Sequence, residues 1–370
     1  MNQIQSPKRA LFIKLGPFSG INQSLFKALQ SEMSDVCFDV VDIYDIISKR
    51  DIRLALAALF FYWKDILLRG RSLASVYLRT PHAFNLIRYR LGKVYLQRQY
   101  SFSIQTQSLW DSSHPSLPNY VYTDHVHLAN IAYSHSRNPF RCHASWIKCE
   151  REIYQNAEVV FTMSSHISAM LESHYYLPPS RIMCAYAGSN VPPTDCETYI
   201  QRTESKNILF VGIDWERKGG EILRTAFDLV LQVHPDARLT VIGCTPPFDS
   251  PSVSVLGLLP SHSLPKYYSS ANIFCMPTLH EPFGIAFLEA MSFSLPVVST
   301  SIGALVDMVD PSSTGYLVSP GDPNALADKL IYLLSHPDIA VAFGLAGRRR
   351  LDERYSWSSV ANKLATTIRK

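Results

Sequence analysis

The sequence predicts an α/β protein made of two Rossmann-like domains facing a cleft. Three observations carry that prediction. Short apolar runs rich in Val, Ile and Phe alternate with stretches whose apolar residues recur at helical spacing. The alternation occurs on both sides of a polar, proline-rich stretch, Val191 to Lys206, where a linker is expected. A chain of 370 residues, 47% apolar and 18% charged, is globular and long enough for two cores. The domains are expected over 1–195 and 196–355, with 356–370 returning to the first.

Ala10 to Leu15 reads as the first strand, Gly16 to Gly20 as a loop and Asn22 to Ser31 as a helix. A glycine loop between strand and helix lets a phosphate or sugar approach the backbone, which makes Gly16 a candidate ligand contact. Many strand–helix turns hold a glycine without any ligand, so the loop alone is a weak signal. Phe38 to Ile43 is the second strand.

Residues 50–98 break the tidy pattern. They hold ten Lys/Arg and two Asp, a surplus of +8, so the rest of the chain carries −4 of the net +4. Phe60, Phe61, Trp63, Tyr77, Tyr89 and Tyr95 are interleaved with these charges. Arg on one side of a helix and aromatics on the other predict docking on an anionic membrane surface. The competing reading is a pair of helices packed on their own sheet with a solvated basic face.

Tyr120 to Thr123 reads as a strand, followed by Asp124-His-Val-His127. Strand ends in a parallel sheet point at the ligand, so His125 and His127 are both candidates. A metal would need a further ligand, and the sequence offers no convincing one; no metal site is expected. Trp146 to Gln155 is helical, Val159 to Met163 is a strand, Ser164 caps the next helix, and Arg181 to Tyr186 is the last strand of this half.

Asn207 to Gly212 begins the second half, and the loop Asp214 to Gly220 holds Arg217 and Lys218 before a helix. Arg238 to Gly243, Val253 to Leu256, Ile273 to Met276 and Pro296 to Thr300 are strands. Between the last two lies a loop, Thr278 to Pro282, and a helix from Phe283 with Ile285, Leu288 and Met291 on one face. Glu281 precedes that helix and Glu289 sits about two turns in. The N–H groups of Phe283, Gly284 and Ile285 open the helix and lack helical acceptors, and Gly284 has no side chain to fend off a ligand. The helix dipole favours an anion there, and a carboxylate accepts from two sugar hydroxyls at once. The plain alternative makes Glu281 a cap and Glu289 a solvated helix residue. Gly303 starts another helix, Asp322 to Leu334 and Val341 to Leu351 are helical, and Tyr355-Ser-Trp357 opens the last helix.

The run FCMPTLHEPFGIAFLEAM, followed by PVVST, Gly303 and TGYLVSPGD, closely resembles the nucleotide-sugar half of the retaining glycosyltransferases of family 4. These are group 1 glycosyltransferases of GT-B fold. The resemblance covers residues 205–357 well and the first half more loosely. It implies transfer of a sugar from a UDP- or GDP-sugar, with retention and without a metal or other cofactor. Glu281 would lie against the transferred sugar and Glu289 would hold the ribose. Lys218 matches the lysine on the donor diphosphate. The family arginine normally follows the strand-ending glycine, where this chain has Ile213, and Arg217 is the nearest substitute. The loop of Gly16 would face the donor phosphates, and a histidine at the strand end, His125 or His127, would stand near the acceptor. Leu256 to Pro260 would meet the base through backbone groups. Ser294 and Ala304 replace usual glycines.

With a membrane-facing segment, the expected acceptor is a cell-envelope glycan or a lipid-linked acceptor; no nucleic-acid partner is expected. Two rivals are a nucleotide-sugar epimerase of the same fold and a nucleotide-binding protein that lost turnover. A NAD enzyme is opposed by the lack of G-x-G-x-x-G after the first strand. Seven cysteines with no C-x-x-C pair point to a reducing compartment. The first residues make a poor signal peptide, and no run approaches the about 18 apolar residues of a membrane span. The expected location is cytoplasmic, peripheral on the inner face of the cell membrane.

Overall fold

The computed structural model describes residues 8–47, 51–132, 142–191, 205–248 and 250–370. They fall into two compact units. Of the described residues, unit 1 takes those up to Tyr186 and regains Val360–Lys370; unit 2 takes those from Ala187 to Ser359.

Unit 1 opens with β1 (Lys8–Lys14), α1 (Ile21–Glu32), β2 (Val36–Asp42), α2 (Ile43–Ile46), α3 (Ile52–Leu67) and α4 (Pro81–Tyr95). It continues with β3 (Phe102–Thr106), β4 (Asn119–Thr123), α5 (Ala144–Asn156), β5 (Val159–Thr162), α6 (Ser165–Tyr175) and β6 (Ile182–Cys184). The strands form one parallel sheet in the order β2-β1-β3-β4-β5-β6. Helices on a parallel sheet bury both its faces, which is why Ala10 to Ile13, Ile104, Val121 and Phe161 are all solvent-free. Ser164 caps α6 by accepting from the Ile167 N–H, as its position before the helix requires. The strand β3 was not expected from the sequence.

Unit 2 contains β7 (Asn207–Val211), α7 (Gly220–Val233), β8 (Arg238–Ile242), β9 (Val253–Val255), α8 (Pro265–Ser270), β10 (Ile273–Cys275) and α9 (Ile285–Ser292). Then come β11 (Val297–Thr300), α10 (Leu305–Met308), β12 (Gly315–Val318), α11 (Pro323–Ser335), α12 (Pro337–Arg354) and α13 (Trp357–Ile368). Its parallel sheet runs β12-β11-β10-β7-β8-β9. The first strand of this unit, β7, therefore lies beside its fourth, β10, and the order reverses between them. Crevices at such a reversal are where open α/β sheets bind ligands.

α13 starts in unit 2, where the Trp357 indole N–H donates to Asn190 at 3.3 Å. It ends in unit 1, where Arg369 donates to the Asp35 carboxylate at 3.0 Å and Lys363 lies over the Tyr186 ring. No single described helix is long and apolar enough to cross a membrane.

The structure divides the basic segment 50–98. Tyr95 is buried and its hydroxyl donates to the Ser112 carbonyl, and Tyr77 packs against the same core, so these two aromatics belong to the interior. Several arginines are already paired: Arg69 with Asp65 at 2.9 Å, Arg88 with Asp111 at 3.7 Å, and Arg98 with Asp39 at 3.2 Å. Arg90 reaches the Ile46 carbonyl and Asp51. The surplus of charge read from the sequence is thus smaller at the surface, and α4 is mainly a packing helix.

Candidate active site

The loops after β7 and β10 meet at the reversal of the second sheet. Hydrogen bonds join them. The Leu279 N–H donates to the Arg217 carbonyl at 2.9 Å, the Thr278 hydroxyl donates to the same oxygen at 3.3 Å, and the Arg217 guanidinium donates to the His280 carbonyl at 2.8 Å. From below, the Thr300 hydroxyl donates to the Thr278 carbonyl and the Ser299 hydroxyl to the Met276 carbonyl. Gly219 sits in the left-handed region, and a Cβ there would come within 1.8 Å of the Pro277 carbonyl oxygen. Only glycine lets the loops approach this closely.

This contact brings together Lys218 and Glu281, residues 63 positions apart, as an ion pair between Nζ and Oε2. Both side chains are nearly enclosed, with 11% and 6% of their surface exposed. Burial lowers the pKa of the Lys218 ammonium, against the pull of the Glu281 carboxylate. Burial also holds the neighbouring His280 down at about 4, with the Arg217 charge adding to the effect. Arg217 is turned toward Asp214, which accepts from its Nε at 3.3 Å, as well as toward the His280 carbonyl. At the position of the family arginine, Ile213 is exposed.

α9 opens at Ile285, with Gly284 as its left-handed cap at φ 102°. The start lies two residues beyond the expected Phe283, so Glu289 is one turn into the helix rather than two. A Cβ on Gly284 would lie 2.6 Å from the Phe287 ring, which ties this glycine to its position. Among the described residues, no hydrogen bond engages the N–H groups of Phe283, Gly284 or Ile285. Phe283 itself is buried. Glu289 has a separate partner: the buried Tyr268 hydroxyl donates to its Oε2 at 2.9 Å. Burial raises the Glu289 pKa, and the Tyr268 bond offsets part of that rise. Tyr268 was missed in the sequence because α8 was; its signal is Pro265 at the first helical turn, followed by a short polar and aromatic run.

In unit 1 the order reverses between β1 and β3, and Gly16 follows β1. Its N–H donates to both oxygens of Asp42 at 3.2 Å, and Lys14 pairs with the same carboxylate. The Gly16 N–H is therefore held by Asp42. Beside it, at the end of β3, Gln107 holds an unusual left-handed φ of 74°, and its side-chain Oε1 is enclosed without a hydrogen-bond partner. Left-handed backbone at a bulky residue persists only where the surroundings impose it, often at binding sites. Gln107 is the residue at this edge that sequence reasoning missed.

His125 and His127 differ sharply. The His127 ring is buried; its Nε2 accepts from the Cys142 N–H at 2.7 Å and its Nδ1 faces the Asn130 amide at 3.2 Å. Burial pushes its pKa down to about 4, so the ring is neutral at pH 7. The His127 backbone N–H donates to Glu150 at 2.9 Å. That carboxylate also accepts from the Tyr175 and Tyr154 hydroxyls, and the Leu128 N–H donates to Tyr175 at 3.2 Å. Burial raises Glu150 to about 7. His125 is half-buried, and its carbonyl accepts from the Thr123 and Ser108 hydroxyls. Among the described residues, no three His, Cys, Asp or Glu side chains cluster as metal ligands.

Residues 205–336 match the sequence model of the group 1 glycosyl transferases. The chain is 30% identical over 249 residues to the D-inositol 3-phosphate glycosyltransferase of Corynebacterium urealyticum, an alignment covering 60% of this chain and 58% of that protein. It is 27% identical over 301 residues to the alpha-maltose-1-phosphate synthase of Mycolicibacterium smegmatis, covering 66% and 75%. The chain thus spans less than two thirds of the first relative's length and more of the second's. Among solved structures, it superposes on sucrose-phosphate synthase from Thermosynechococcus elongatus with a TM-score of 0.73 at 19% identity, over 98% of both chains. Anabaena HepE in complex with UDP and glucose gives 0.64 at 13% identity, over 98% of this chain and 99% of that one. At such identities these likenesses speak for the fold. Residues 205–336 belong to the group 1 glycosyltransferases, carried on a chain of GT-B fold.

Proposed function

We propose that this chain transfers a sugar from a nucleoside-diphosphate sugar to an acceptor hydroxyl, with retention at the anomeric carbon and without a metal. One observation carries the reading: the Lys218–Glu281 pair at the strand-order reversal, flanked by the start of α9, whose first N–H groups have no described acceptor. In the reaction the bond from the anomeric carbon to the diphosphate oxygen breaks and its electron pair leaves with the phosphate. The acceptor oxygen bonds to that carbon from the same face, and its proton passes to the departing diphosphate oxygen. Negative charge grows on the departing diphosphate, and a buried lysine with helix-start amides stabilises it without moving far. Lys218 exchanges Glu281 for the diphosphate, which frees the Glu281 carboxylate to accept from sugar hydroxyls. Glu289 accepts from the ribose, with Oε2 oriented by Tyr268. Arg217 supports the loop through His280. Of the two histidines, His125 takes the role near the acceptor, because the His127 ring is committed to Cys142 and Asn130.

The UDP and glucose held by Anabaena HepE make UDP the first nucleotide to test, with GDP beside it. A ligand that binds only the native state raises the melting temperature, so UDP, GDP and their sugars are screened by thermal shift. A shift with one nucleotide, followed by acceptor-dependent sugar transfer that retains configuration and survives EDTA, is expected. No shift with any nucleotide overturns the reading. A changed sugar formed without acceptor makes the chain an epimerase, and binding without transfer makes it a binding protein.

A further inference from the structure

We propose that α3 lies in the interface of an anionic lipid bilayer. The helix has two apolar faces. Leu54, Ala58 and Tyr62 are buried and fix it to unit 1, with the Tyr62 hydroxyl donating to the Arg79 carbonyl. On the other face, Ile52 is 72% exposed, Leu56 61%, Phe60 78%, Trp63 48% and Leu67 69%, with Leu59 beside them. At about 100° per residue Ile52, Leu56, Leu59 and Phe60 fall within one arc of about 100°, and Trp63 and Leu67 continue the exposed apolar surface past the break in helical geometry at Tyr62. No described element covers them, and an apolar stripe of this length on a folded protein marks an interaction surface.

Charge selects the occupant. Arg53 and Lys64 are exposed along one flank of the stripe, and the Lys64 ammonium sits 5.5 Å from the centre of the Trp63 ring. The helix's one acidic residue within 52–67, Asp65, has a side chain only 16% exposed and is paired with Arg69. On α4 the same combination recurs, with Lys93 over the exposed Tyr89 ring at 4.7 Å. Apolar rings flanked by unopposed cations fit a surface with hydrocarbon below and negative headgroups above. A second copy of the chain would bring the same cations against each other. With no described helix suited to span a bilayer, binding is in-plane and reversible.

The test uses the whole chain and extruded vesicles of phosphatidylcholine, with and without phosphatidylglycerol. Co-sedimentation with the anionic vesicles alone, weakening as salt rises, is expected. Phe60→Ser with Trp63→Ser lowers the partition coefficient at least about tenfold, since two rings leave the hydrocarbon. Arg53→Gln and Lys64→Gln each lower it about fivefold. All four side chains are exposed, so thermal unfolding stays unchanged, which separates lost docking from lost folding. Brominated lipid quenches Trp fluorescence in the parent and much less in Trp63→Phe. Equal pelleting with both vesicle types, none with either, or undiminished pelleting of the double variant overturns the proposal. So does a lipid-free dimer that the double variant dissolves, which gives the face to a second copy. Because none of these readouts involves a nucleotide, vesicle binding and the transferase reading stand or fall separately.

Discussion

The two most enclosed glutamates near the ligand-facing edges, Glu281 and Glu150, are held in different ways. Glu281 is met by a cation, Lys218, from the neighbouring loop. Glu150 is met by neutral donors, the Tyr175 and Tyr154 hydroxyls and the His127 N–H. A buried ion pair stores a charge that an incoming anion can claim, at the cost of desolvating both groups. At Glu150 burial raises the carboxyl to about 7 against the pull of its three donors, so it holds a proton toward neutral pH and pins a loop. The first arrangement suits chemistry and the second suits support.

The largest effect should come from the ion pair. Lys218→Ala is expected to lower turnover by about 10²–10³, the loss of one preorganised charge-stabilising donor. Arg217→Ala, whose guanidinium is already held by Asp214 and the His280 carbonyl, should cost less. Near-parental turnover in Lys218→Ala would reduce the pair to a structural contact.

Glu150 tests the other side of the comparison through pH. Its folded pKa, about 7, lies above the ordinary 4.5, so the folded state holds a proton the unfolded state releases. Its stabilising share is full below 4.5 and fades as pH rises to 7, a loss of about 3 kcal/mol relative to Glu150→Gln. The melting temperature of the parent minus that of Glu150→Gln should therefore fall between pH 4.5 and 7 and level off above. Taking the difference cancels His127 and His280, which titrate in both proteins. A flat difference would show that Glu150 is solvated after all.

A smaller effect separates the two site glutamates. Glu289→Ala should weaken nucleotide binding about tenfold, the scale of one charge-assisted hydrogen bond, while Glu281→Ala lowers turnover with donor still bound. Calorimetry and initial rates on both variants check it; identical losses in both would merge their roles. Smallest of all, Tyr268→Phe should cost about 1 kcal/mol of stability and loosen nucleotide binding slightly, because it removes one neutral donor from Glu289.

The second unit was the more legible in sequence. Its strands are apolar runs, and Lys218, Gly219, Glu281 and Gly284 occupy loops, and Glu289 a helix, with strong local signatures. What sequence could not supply was the pairing of Lys218 with Glu281, which depends on strand order. In the first unit, β3 escaped notice because Phe102–Thr106 carries Ser103 and Gln105 in a fully buried strand. Their polarity is met sideways: Ser103 donates to Asn119 at 2.8 Å and Gln105 to the Trp110 carbonyl at 2.8 Å. A pattern of apolar residues cannot reveal a strand whose polar groups are satisfied only by its neighbours. The choice between His125 and His127 rested on the same kind of knowledge, since only the fold shows Cys142 reaching the His127 ring.

α13 leaves unit 2 and completes unit 1, and this sets an order of assembly. Residues 360–370 are synthesised after every strand of both sheets, yet Val360, Ala361, Leu364 and Ala365 are buried and Arg369 is anchored on Asp35 in the first unit. On the ribosome, unit 2 has all its described strands, Asn207 to Val318, while unit 1 still waits with an uncovered apolar strip. A gene fragment ending at the 186–187 boundary would yield that incomplete intermediate permanently. Anyone wanting the first unit alone would have to graft its last helix back by a designed connection, or express it separately and let it dock in trans.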